Sequence, residues 1–243
     1  TFALISLFSM SFMPAVAATV VNTGLTQDTT GGANPIAKAK WEMNIAKDGS
    51  GQYVGTDDST SAGAQFMPSG IKDVSKRITL CSIVTDPDGL ADIDNVYADV
   101  FYPDDIVLGD SHVPLADQSG LGCGNLMQED KLTKLTKAEG LELFCNKIRN
   151  NNFNLPTFNS PYTYDEICKA DGELMKETAA VYCGEKNLSY EDPSGSYEVW
   201  SVPQDKVGLQ GKLINHFEYL PLTAIETDFT SVNYGNVRLN THK

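Results

Sequence analysis

Apolar and polar positions alternate with a period of two along several stretches of the chain. Ala37, Ala39, Trp41 and Met43 interleave with Lys38, Lys40 and Glu42, the pattern of a half-buried strand that begins at Ile36. From Arg77 to Thr85, Ile78, Leu80, Ser82 and Val84 oppose Thr79, Cys81, Ile83 and Thr85; both faces are largely apolar, which suits a central strand. Asp86-Pro87-Asp88-Gly89-Leu90 is a turn by composition, since Pro fixes φ and Gly supplies a positive φ. A strand from Ile93 to Tyr102 follows. Much later the same pattern returns in a strand over Gly195 to Val202, a turn over Gln204 to Gly208 and a strand over Leu213 to Leu222.

Between residues 122 and 189 the period changes to 3.6. Thr136-Lys137-Ala138-Glu139 forms a capping box, followed by an apolar stripe of Leu141, Phe144, Cys145 and Ile148. Thr163-Tyr164-Asp165-Glu166 opens a second helix with Ile167, Leu174, Thr178, Val181 and Tyr182 on its stripe and Gly184 as its terminator. This segment reads as a helical hairpin inserted into a β-domain.

Four of the five cysteines lie in that insert, namely Cys123, Cys145, Cys168 and Cys183. On one helix Cys168 and Cys183 would be about 22 Å apart, too far to bond. Antiparallel helices about a loop near Pro156 bring together residues whose numbers add to about 313. Cys145 and Cys168 meet that sum, and Cys123 and Cys183 come near it at the open end of the hairpin, so these are the two expected disulfides, with Cys81 a buried free thiol. Zinc is disfavoured, because the insert has neither Cys-x-x-Cys nor His.

The cysteine reading depends on compartment, and the two ends bear on it. Residues 1–17 form an apolar run ending in Ala15-Val16-Ala17, the pattern of a cleaved signal peptide, so disulfides become the default state. Residues 18–35 read as a linker, 36–222 as the β-domain, and 223–243 as the opening of a further β-domain. The formal charge of −14 argues against binding nucleic acid or anionic membranes.

The succession of a strand, Thr85-Asp86-Pro87-Asp88-Gly89 and a second strand, with Gly195-x-Tyr197-x-Val199-x-x-Val202-x-x-Asp205-x-x-Gly208 downstream, resembles the immunoglobulin-like and PKD-like repeats of secreted archaeal and bacterial surface proteins. The resemblance covers about 100 residues and implies a mainly β fold. The expectation is an Ig-like β-sandwich with an inserted, disulfide-stapled α-helical hairpin.

Asp86, Asp88, Asp92 and Asp94 are the candidate metal ligands, for calcium, which takes six to eight oxygens in irregular geometry. A turn and a solvated strand edge account for the same residues, and the sequence favours that reading. Asp57-Asp58 and Asp104-Asp105 are further carboxylates that could converge on the same end. No nucleophile elbow, HExxH or P-loop is present, and His112, His216 and His242 are scattered, so no catalytic residue is assigned. Asn187-Leu188-Ser189 is a glycosylation sequon expected in an exposed loop. Trp41 and Trp200 read as core residues, whereas Phe153, Phe158, Tyr162 and Tyr164 are candidates for a partner-binding face of the insert.

Together these features point to a non-enzymatic, secreted cell-surface structural or adhesion module, whose partners are other surface modules or copies of itself. The alternative is a carbohydrate- or ligand-binding module accessory to an extracellular enzyme.

Overall fold

The computed structural model describes residues 32–45, 47–51, 57–58, 63–71, 73–103, 126–150 and 155–222. The expected signal peptide, most of the expected linker, the expected start of a further β-domain, and with them Cys123, Asp104, Asp105, His112, Phe153 and His242, lie outside the described residues.

The fold is mainly β and is built in three layers. The first sheet contains β1 (Ile36–Asn44), β3 (Lys76–Thr85), β6 (Thr133–Lys134), β7 (Thr157–Phe158) and β8 (Ala179–Leu188), in the order β6-β8-β3-β1-β7. The second contains β2 (Gln65–Phe66), β4 (Ile93–Phe101), β5 (Leu126–Lys131), β9 (Gly195–Asp205) and β10 (Leu213–Tyr219), in the order β2-β10-β9-β4-β5. All pairings are antiparallel except that of β10 with β2.

The sheets face each other across a core of Leu80, Val84, Val96, Val100, Tyr197, Val199 and Phe217. Ser201 on β9 donates to Ser82 on β3 at 2.7 Å, and Lys186 on β8 pairs with Asp130 on β5 at 3.3 Å, so polar contacts also bridge the sheets.

The other face of the first sheet carries the helical layer. This comprises α1 (Lys137–Gly140), which continues as a π-helix over Leu141–Ile148, then α2 (Tyr164–Cys168) and α3 (Glu173–Lys176). Trp41 meets Phe144 at a ring-centroid distance of 5.1 Å, and Phe144 stacks on Tyr164 at 4.9 Å. The Thr136/Glu139 capping box forms as expected.

Because both faces of the first sheet are covered, β1 is buried along nearly its whole length rather than on one face. A bulge at Lys38, between the pairs Ala37↔Val84 and Ala39↔Ile83, separates that lysine from the strict alternation. Lys38 pairs with Glu173 of the helical layer and lies 4.1 Å from the Tyr162 ring centroid. Lys40 and Glu42 share a face with Ser82 and Leu80, their register partners, and point into the space between the sheets.

The insert is smaller than the sequence suggests. The second helix does not run from Thr163 to Gly184: α2 ends at Cys168, α3 ends where Glu177 takes a left-handed conformation at φ 57°, and the chain then extends as β8. Ala179 to Leu188 pairs residue for residue with β3, and the hydrogen bonds of that central ladder outweigh a stripe that fits a helix equally well.

Candidate metal centre and disulfides

The strand change from β3 to β4 sets the geometry of the acidic turn. Gly89 N–H donates to Asp86 O at 3.0 Å and Asp92 N–H to Gly89 O at 2.9 Å, closing two consecutive turns. Asp86 Oδ1 accepts from Asp88 N–H at 2.8 Å, the local bond that Asp makes in turns. The result places one carboxylate oxygen each of Asp86, Asp88 and Asp92 within 4.8 Å of one another. Oxygens bound to one calcium ion at about 2.3–2.6 Å stand at most about 5 Å apart, so the spacing suits such an ion.

Two further observations point the same way. Asp86 is 5% exposed, yet its Oδ2 has no hydrogen-bond partner among the described residues. Burial raises the Asp86 carboxyl above its ordinary value; the Asp88 N–H opposes this, and the charges of Asp88, Asp92 and Asp205 add to it. A bound cation would relieve both the missing partner and the repulsion.

Asp205 is the residue that sequence reasoning assigned only to a turn. It lies at the end of β9 opposite Ile93, and Lys206 N–H donates to Asp92 O at 3.0 Å, which fastens the two turns together. Asp205 Oδ1 accepts from Val207 and Leu209 N–H at 3.0 and 2.7 Å, while its buried Oδ2 is unpartnered among the described residues. The start of the described chain closes the other side, where Ala33 N–H donates to Asp88 Oδ2 at 2.8 Å. Gly32 has a φ of 101°, which favours glycine, and a Cβ there would fall 2.6 Å from the same oxygen.

Asp94 does not join the group; it is exposed and accepts from Asn95 Nδ2 at 2.6 Å. Asp58 lies at the opposite end of β1 and β3, bound to Asn44, to Met67 N–H and to Lys76. One strand length, about 30 Å for ten residues, separates it from Asp86.

Cys145 and Cys168 are bonded, with Cα atoms 5.5 Å apart, joining the π-helix to α2. The other expected pair is corrected: Cys183 bonds Cys81, 102 residues earlier, and Cys81 is not a free thiol. The reason is the replacement of the second helix by β8, which sets Cys81 directly opposite Cys183.

Asn187 is exposed but sits on β8, paired with Arg77, rather than in a loop. Phe158, Tyr162 and Tyr164 are half-buried, and Phe158 and Tyr164 pack around Phe144, so these rings serve the inner side of the helical layer. Trp41 is fully buried. Trp200 is half-buried on the outer face of the second sheet, 4.7 Å from the Phe101 centroid and with Lys212 Nζ 3.8 Å from its own.

No family of proteins, no curated protein and no solved structure matches this chain. Among the described residues no helix is long and apolar enough to cross a membrane.

Proposed function

We propose that this chain is a secreted cell-surface structural module, an Ig-like sandwich whose end is fastened by calcium. The observation that carries this reading is the pair of disulfides, one within the central sheet and one within the layer that covers it. Such bonds persist in oxidising compartments, as the apolar leader leads one to expect. The Ig-like assignment draws support from Tyr197, near the start of β9, whose hydroxyl donates to Pro193 O at 2.7 Å in the manner of a tyrosine corner.

Asp86, Asp88 and Asp92 hold the ion, with Asp205 beside them, where the chain leaves the linker and enters the domain. Calcium there ties residues 32–33, the β3–β4 turn and the end of β9 into one unit and sets the direction in which a preceding segment leaves. This is a suitable device for a module in a series. Its partners are neighbouring surface modules or copies of itself.

The test is a membrane-impermeant amine label applied to intact cells that make the protein. Labelling at the level of known surface proteins is expected. Protection until the cells are lysed would overturn the reading.

A further inference from the structure

A buried polar triad between the sheets serves none of the roles above. Lys40 on β1 is 2% exposed and Glu42, two residues on, is 1% exposed. Asn215 lies opposite them on the inward face of β10. Lys40 Nζ donates to Glu42 Oε1 at 2.6 Å and also contacts Asn215 Oδ1, while Asn215 Nδ2 donates to Glu42 Oε2 at 2.6 Å. One carboxylate therefore holds an amine with one oxygen and a carboxamide with the other, and the amine rests against the carboxamide's carbonyl.

The geometry points to an amide bond between the side chains of Lys40 and Asn215, formed by the chain itself, with Glu42 as the proton carrier and ammonia as the leaving group. Lys40 first passes a proton to Glu42 and becomes a neutral nucleophile. Burial lowers the Lys40 ammonium below its ordinary value and so favours that neutral form, while the attraction to Glu42 works the other way. The Nζ lone pair then attacks Cγ of Asn215, and the carbonyl π electrons move to Oδ1. A second Nζ proton reaches Nδ2 through Glu42. The Cγ–Nδ2 bond breaks, the carbonyl re-forms and ammonia departs, with the remaining proton left on Glu42. No atom is oxidised or reduced, and no cofactor is needed.

Two features favour the reaction. The partners are held in contact by opposite sheets, so the step is intramolecular and pays no encounter entropy. The product also replaces a buried amine and its counter-charge, which are costly to desolvate, with a neutral amide. The bond would join β1 to β10, 175 residues later, and so tie the first strand among the described residues covalently to the last. It depends neither on export nor on calcium.

The test is intact mass spectrometry of the purified chain after reduction of its disulfides, with tryptic mapping. The expected mass is that of the sequence less one ammonia, with a branched peptide joining the Lys40 and Asn215 segments. Glu42→Gln is expected to keep the full mass and yield only linear peptides. Folded wild-type protein with full mass and only linear peptides would overturn the bond, whether or not the variant folds. A branched peptide in folded E42Q would overturn the part given to Glu42.

Discussion

Cys81 and Cys183 occupy directly opposed positions on neighbouring antiparallel strands, with Cα atoms 4.2 Å apart. That spacing is typical of opposed residues that exchange no backbone hydrogen bonds, where side chains come closest. The bond lies on the face of the first sheet that also carries Trp41, the register partner of Cys81, so it stiffens the surface on which the helical layer rests.

Its removal should therefore cost more than loss of the other disulfide. In the chain-entropy account the cost grows with the loop closed, which spans 102 residues here against 23 for Cys145–Cys168. Paired substitution of Cys81 and Cys183 by Ser is expected to lower unfolding free energy by about 1 kcal/mol more than the same change at Cys145 and Cys168. Guanidinium unfolding of both variants measures the order, and the reverse order would contradict the account.

Calcium should raise the melting temperature of the wild type, because binding to the folded state alone stabilises it, by about 2.7 kcal/mol at one hundred times Kd. Asp86→Asn and Asp88→Asn should abolish the rise, and Asp94→Asn should keep it. A calcium response that survives Asp86→Asn would move the ion elsewhere.

Asp99, on the outer face of the second sheet, is pushed up to about 6 by burial and then by Glu129 and Asp130, with Lys212 opposing. Its folded value exceeds the unfolded one, so the folded state holds the proton more tightly. The stability Asp99 contributes is full below about pH 4 and is lost as pH rises through about 6. Asp99→Asn should then stabilise the protein at pH 7.5 by on the order of 1 kcal/mol, discounted for partial solvent exposure, and leave it unchanged at pH 4. Thermal melts at the two pH values decide the sign.

Phe144 joins the helical layer to Trp41, Phe158 and Tyr164. Phe144→Ala should cost about 3–5 kcal/mol, the range for truncating a buried aromatic. Chemical unfolding measures it; a loss under about 1 kcal/mol would mean that the layer does not rest on this ring.

The strands at Lys76–Thr85, Ile93–Phe101 and Leu213–Tyr219 were legible because alternation and turn residues agree there. Strand β8 was not, since Val181 and Tyr182 fit a helical stripe as well as a strand, and only pairing with β3 decides between them. Lys40 and Glu42 read as the polar face of a half-buried strand because no local signal tells that a second sheet covers them. Asp86, Asp88 and Asp92 were legible as one turn, whereas Asp205 joins them only through the β4–β9 register.

Both disulfides and the proposed export meet in a single measurement. Cells that make the protein naturally are treated with an alkylating reagent before lysis, and the chain is then mapped without reduction. The account predicts peptides linked Cys81–Cys183 and Cys145–Cys168, with none of these four thiols alkylated. Alkylated Cys81 and Cys183 in the folded native protein would contradict it.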